Sequence, residues 1–162
     1  SAASDVYKRQ VPGPPPTATA QQKGVRIQNV RGKSVPIFFK KKALVAVENA
    51  LKAQLPRPDA PLEGPVCLRV RFEFPWRKSE PKRNRTRPFL WKDTVPDTDN
   101  MLKLVKDVLG DLGWWKDDAQ VADERTQKVW GPEPKITIRA EELNQPDSFD
   151  DLELFSEGRS VG

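Results

Sequence analysis

Two short stretches concentrate the side chains able to do chemistry: Pro96-Asp97-Thr98-Asp99-Asn100-Met101-Leu102-Lys103, and later Trp115-Lys116-Asp117-Asp118-Ala119-Gln120. Asp97 and Asp99 stand two residues apart. On an extended backbone their side chains point the same way. Two carboxylates that close stay ionised together only beside a cation. Hard oxygen donors on a short segment suit Mg²⁺, with Mn²⁺ as a substitute. Asp117-Asp118 offers a third carboxylate if the fold brings it back. The same Asp-x-Asp-Asn pattern also serves turns and helix caps, so local spacing leaves both readings open.

Composition narrows the chemistry. The 162 residues contain no His, and the only Tyr is Tyr7. Hydrolysis through a His base, a His nucleophile or His-ligated zinc is therefore excluded, and a tyrosine nucleophile is disfavoured. Cys67 is the only cysteine, so there is no disulfide framework and no Cys-rich zinc site. Carboxylates, lysines and a metal must carry any catalysis. Seven acids against Arg159 give residues 141–162 a charge of −6, leaving +11 on residues 1–140 out of a net +5. A body that basic points to nucleic acid. No apolar run is long enough to span a bilayer, no secretory h-region is present, and the lone cysteine fits a reducing cytoplasm.

The elements that must position the acids follow from periodicity. Val66, Leu68, Val70, Phe72 and Phe74 alternate with Cys67, Arg69, Arg71 and Glu73. This predicts a strand with one core face and two arginines on the other. Residues 75–96 form a long loop with seven Lys or Arg and two acids, interrupted by Trp76, Phe89 and Trp91. Basic side chains neutralise phosphates and aromatics stack on unpaired bases, so Arg69, Arg71, Lys82, Arg83, Arg85, Arg87 and Lys92 are the expected DNA contacts. Met101, Leu104, Val105, Val108 and Leu112 make one stripe of a helix over 100–112, with Asp99 capping it and Lys103 off the stripe. Lys103 is also spaced to pair with Asp107. Leu44, Val47, Leu51 and Leu55 predict a helix over 40–55, led by Pro36-Ile37-Phe38-Phe39. Lys40, Lys41 and Lys42 sit at its start, where the helix dipole disfavours them; they are either solvated or phosphate-facing.

A short hairpin through Arg31-Gly32-Lys33, a strand over 120–130 and a final strand over 135–139 complete the reading. If the strand over 120–130 starts at the acidic pair, Asp117 and Asp118 face opposite ways. Asp117 then shares parity with core-facing Val121, which favours Asp118 as the ligand. Trp114 and Trp115 read as core. The whole is an α+β domain, a mixed β-sheet with two main helices packed on it. Residues 1–10 are expected to be a leader outside the native structure, 11–140 the domain, and 141–162 an acidic disordered tail. That tail carries Phe149, Leu152, Leu154 and Phe155, with no assigned partner.

Pro-Asp-x-Asp-Asn, the helix carrying Lys103, and then Gly-Trp-Trp-Lys-Asp-Asp-Ala-Gln-Val resemble the RusA family of Holliday-junction resolvases. The resemblance is specific from Pro75 to Val121 and looser over 11–74 and 122–140. It implies a Mg²⁺-dependent, homodimeric endodeoxyribonuclease that cuts four-way DNA junctions in bacterial or phage recombination and repair. The family's metal-binding aspartates match Asp97, Asp99 and Asp118, and its essential lysine matches Lys103. The alternative is a non-catalytic junction-binding module whose aspartates only cap and turn the backbone.

Overall fold

Alternation along Val66–Pro75 (β4) fixes the middle of the molecule. In the computed structural model, which describes residues 6–17 and 23–152, Val66, Leu68, Val70, Phe72 and Phe74 are all buried. Five strands form one sheet in the order β1 (Val6–Pro12), β7 (Lys135–Glu142), β4, β6 (Val121–Gly131), β5 (Leu90–Trp91). β4 runs parallel to β6 and antiparallel to β7. A parallel pair needs a long crossover. Here the crossover contains the basic loop and helix α2 (Thr98–Asp111), so the fold carries the Asp97–Lys103 stretch from the end of β4 back toward the start of β6.

Helix α1 (Lys42–Gln54) and α2 bury their stripes in the same core. Leu44 and Leu51 come from the first, with Leu55 at its C-cap; Met101, Leu102, Leu104, Val105, Val108 and Leu109 come from the second. Trp114 and Trp115 are 0% and 2% exposed. The single α+β domain, a mixed sheet with two helices, is as the periodicity predicts.

Three local assignments differ from the sequence reading. Val6–Gln10, expected to lie outside the fold, belong to β1 and pair with β7 from Val6↔Glu141 to Gln10↔Thr137. The stretch lacks apolar alternation because an edge strand is held mostly by backbone hydrogen bonds. Val11 of the same strand is buried, and the Tyr7 ring lies 5.4 Å from that of Trp114. At the other end Glu141 and Glu142 are strand residues of β7, so the acidic segment begins after them. Within it Phe149–Asp151 form a 3-10 turn, and Leu154 and Phe155 lie outside the described residues. Finally, Pro36-Ile37-Phe38-Phe39, given no element of its own in the sequence reading, leads into α1 as a strand. It lies in β3 (Lys33–Lys40), paired with β2 (Lys23–Val30) in a hairpin. Arg31 and Gly32 both have positive φ at its turn, the geometry of tight hairpins. Gly24 lies under the Phe39 ring, where a Cβ would come within 3 Å of ring atoms.

Candidate active site

Asp97 occupies the N-cap position of α2 and Asp99 its first turn, yet the Asp97 side chain makes no capping hydrogen bond. Both carboxylates are exposed. Lys103 follows one turn later, 55% exposed along its side chain, with its Nζ 3.4 Å from Asp107 Oδ1. That separation is long for a charged pair, so the amine is only loosely held.

Asp118 reaches α2 near its C-terminal end, beside Gly110, through an arrangement the strand reading did not supply. Residues 118–120 form a 3-10 turn, and β6 starts only at Val121. Asp117 is the N-cap of that turn. Its Oδ1 accepts the Ala119 N–H at 2.8 Å, and Gln120 Oε1 accepts the N–H of Asp117 at 3.1 Å. Gln120 Nε2 also donates to the carbonyls of Leu62 and Gly64. Asp117 is thereby occupied by capping, while Asp118 turns toward α2. The two aspartates thus differ in their surroundings through a capping box rather than through strand alternation.

Two adjoining clefts result. The larger, about 540 Å³, is lined by Lys40, Lys103, Asp107, Gly110, Trp115 and Asp118 among others. The smaller, about 300 Å³, is lined by Asp99, Leu102, Lys103, Lys106, Asp118 and Glu124. Lys103 and Asp118 belong to both. Asp97 lines neither, although it stands two residues from Asp99. Among the described residues no three acidic or cysteine side chains are grouped closely enough to enclose a metal ion. Asp99 and Asp118 are both exposed and line one cleft, with Asp118 Oδ1 against Gly110, eleven residues along α2 from Asp99. Single exposed carboxylates suit Mg²⁺, which keeps several waters and is usually held by one or two carboxylates plus substrate phosphate.

Several residues that shape this site were not singled out by the sequence. Trp115 donates its indole N–H to Asp118 Oδ1 at 2.8 Å, so this core tryptophan also aims a carboxylate. Gly110 lies inside α2, where a Cβ would sit 3.2 Å from Asp118 Oδ1 and 3.6 Å from Trp115 Nε1. A glycine within an otherwise periodic helix usually has a packing reason; here it admits the Asp118 carboxylate. Glu124 pairs with Lys106 at 3.1 Å on the cleft wall. Lys40 of the three-lysine run reaches the larger cleft, held by buried Glu48 through bonds of 2.8 and 3.0 Å. That hydrogen bond to Glu48 holds the Lys40 amine above its ordinary pKa.

The basic loop is ordered around a buried acid. Glu80 Oε2 accepts from Arg77 Nε and Nη2 at 3.0 and 2.8 Å, and its Oε1 accepts from the Asn84 amide at 2.6 Å. Asn84 first and Arg77 second hold the Glu80 carboxyl below the usual glutamate range. Arg85 is spent on the same scaffold, donating to the carbonyls of Arg77, Lys78 and Glu80. Lys92 is also not a free phosphate contact. It is 8% exposed, with Nζ 4.0 Å from the Trp130 ring centroid and 5.1 Å from that of Phe74, and burial pushes its pKa down. Lys82, Arg83 and Arg87 remain exposed, with no side-chain bonding partner among the described residues. Arg71 donates to Gln127, and Arg69 is half-buried on the open sheet face. From β6, Lys128 Nζ donates to the carbonyls of Thr94 and Pro96 at 2.5 and 2.7 Å, fixing the chain just before Asp97.

Comparison with known proteins gives the following. The family model described as Endodeoxyribonuclease RusA matches residues 12–141. The "Uncharacterized protein YqaN" of Bacillus subtilis (strain 168) is 35% identical over 100 residues, covering 59% of this chain and 70% of that protein. The "Crossover junction endodeoxyribonuclease rusA" of Lactococcus phage r1t is 30% identical over 127 residues, covering 77% of this chain and 89% of the phage protein.

Proposed function

The chain belongs to the RusA endodeoxyribonuclease family, and from that premise we propose that it resolves four-way DNA junctions as a Mg²⁺-dependent homodimer. The observation that carries the reading is the convergence of Asp99, Asp118 and Lys103 on one cleft, with the N-cap carboxylate of α2 left free of capping duty. Aspartates kept only to cap and turn would spend their oxygens on backbone N–H groups, as Asp117 does.

In this reading Asp99 and Asp118, which line one cleft, would hold the ion, while Asp97 stands at the N-cap of α2 outside that lining. A bound Mg²⁺ supplies an activated water and neutralises charge on the scissile phosphate and leaving oxygen. The chain's own residues do the positioning. Trp115 and Gly110 set the direction of Asp118, and Lys128 sets the approach to Asp97. Lys103, loosely paired and half-exposed, turns its amine to the phosphate and offsets charge that builds in the transition state. Lys40 and Lys116, on the wall of the larger cleft, receive flanking phosphates. Two copies related by a two-fold axis would present two such clefts to opposed strands of a junction with the same approximate symmetry.

The test is cleavage of a synthetic four-way junction with Mg²⁺, with Mn²⁺, and with excess EDTA. Paired nicks that need the metal are the expected result. Tight junction binding with no nicking under any metal would instead favour a binding module. The dispersed carboxylates, with no group of three close together, are the observation on that side.

A further inference from the structure

Four cations stand side by side across the sheet face opposite the helices. Lys8 is paired in register with Arg139, Arg139 with Arg69, and Arg69 with Arg125. Directly opposed residues of neighbouring strands share a face, so Lys8–Arg139–Arg69–Arg125 is one row running across β1, β7, β4 and β6. Lys8, Arg139 and Arg125 are exposed and Arg69 is half-buried. The row toward one end of the strands holds Gln10, Thr137, Arg71 and Gln127; the row toward the other holds Glu141, Cys67 and Asp123. Among the described residues, only Arg139 of the four finds a carboxylate, Glu141 at 3.2 Å.

Like charges directly opposite one another destabilise a sheet, and here three such pairs are consecutive. Packing does not explain them, since the core lies on the other face. A polyanion does. Strands are spaced by about 4.8 Å, so the row spans about 14 Å. One nucleic-acid strand presents about four phosphates over that length of helix axis. The row also leads somewhere. β5 pairs with β6 only at Val129 and Trp130, so β6 is the sheet edge at Arg125. The preceding residue, Glu124, points to the opposite face and lines the cleft of Asp99 and Asp118.

We propose that this row is a phosphate-binding track. It carries one backbone of a DNA arm across the open sheet face to the edge beside the carboxylate cleft. The proposal rests on the DNA-cutting reading and adds a second DNA surface to the loop of residues 75–96.

The experiment is the double variant Lys8→Gln/Arg125→Gln, at the two ends of the row, measured two ways. Junction binding in EDTA is titrated against salt, and the thermal midpoint is measured without DNA at low salt. The log–log salt slope should fall by about 1.8, since each lost phosphate contact removes roughly 0.9, while the midpoint holds or rises because two like-charge repulsions are gone. An unchanged slope would show that DNA does not follow the row. A lowered midpoint would show that the row is satisfied within the protein, by the acidic segment after β7 or otherwise, and would overturn the track as well. Wild-type protein that binds no DNA at all defeats the junction reading itself, an outcome distinct from either.

Discussion

Gly110→Ala separates what the helix gains from what the site loses. In a helix interior alanine is more favourable than glycine by about 0.8–1.0 kcal/mol, an upper bound at Gly110, the second-to-last residue of α2, which has no positive φ that would strain a side chain. The added methyl, however, would sit 3.2 Å from Asp118 Oδ1. The carboxylate must retreat by a few tenths of an ångström. Asp118 is exposed and can do so, but the move loosens the 2.8 Å bond from Trp115 Nε1. Losing part of that bond returns some of the helix gain, because a hydrogen bond to a charged group is worth about 1.5–3 kcal/mol when buried and less where water replaces it. The expected net stability change lies between zero and about +1 kcal/mol, a rise of at most about 4 °C in midpoint for a domain of this size. Junction cutting should fall by roughly five- to tenfold, since a full 1 Å misplacement of a catalytic group costs about a hundredfold. Thermal melts and single-turnover cleavage on the same preparation read both. A variant that melts higher and cuts at the wild-type rate would show that the position of Asp118 does not matter. A variant that melts several degrees lower would show that the carboxylate cannot yield.

Asp118→Asn should lose cutting and keep junction binding, because it removes charge but preserves the Oδ1 that accepts from Trp115. By contrast Asp117→Asn should be nearly silent and Asp117→Ala should cost about 1 kcal/mol in a denaturant titration, the usual value of an N-cap; equal cutting by wild type and Asp118→Asn would refute the assignment. In the loop, Lys82→Gln/Arg83→Gln/Arg87→Gln should lower the salt slope of binding by up to about 2.7. Arg85→Gln should instead disorder the loop, read as faster proteolysis between residues 77 and 87; a triple variant with wild-type slope would remove the loop from the DNA surface. Glu80 gives a pH test. Its carboxyl lies below the ordinary value of 4.5, so its contribution is complete above that value and is lost as pH falls through the lower folded value. The midpoint of wild type should therefore exceed that of Glu80→Gln at neutral pH, and the two should converge on acidification; a constant difference across the range would contradict the ion-paired scaffold.

What the sequence makes legible here is what a single element can encode. The β4 alternation and the stripes of α1 and α2 are properties of one strand or one helix, and all three appear in the core. β1 is not legible, because an edge strand held by the backbone of β7 leaves little mark on side-chain pattern. The same limit applies to charge. Seven basic residues in the loop look alike in the sequence, yet Lys92 is buried over two rings, Arg77 and Arg85 build the scaffold around Glu80, and only Lys82, Arg83 and Arg87 of the expected contacts there stand clear.

The acidic site shows the same limit most sharply. Asp97-x-Asp99 and Asp117-Asp118 announce carboxylates, but local spacing cannot say which oxygens are already taken. That depends on groups far away along the chain. Gln120 ties the turn to Leu62 and Gly64, and this leaves Asp117 as a cap. Gly110, the second-to-last residue of α2, decides how near Asp118 can come. Lys128, from the opposite end of β6, holds the carbonyls that precede Asp97. Each of these residues acts through a hydrogen bond or an absent methyl rather than through its own chemistry. A reading that starts from reactive residue types therefore finds the carboxylates and Lys103 and passes over the residues that aim them. The four-cation row is hidden for a related reason. Lys8, Arg69, Arg125 and Arg139 are scattered over most of the chain, and only the strand order β1-β7-β4-β6 sets them in line.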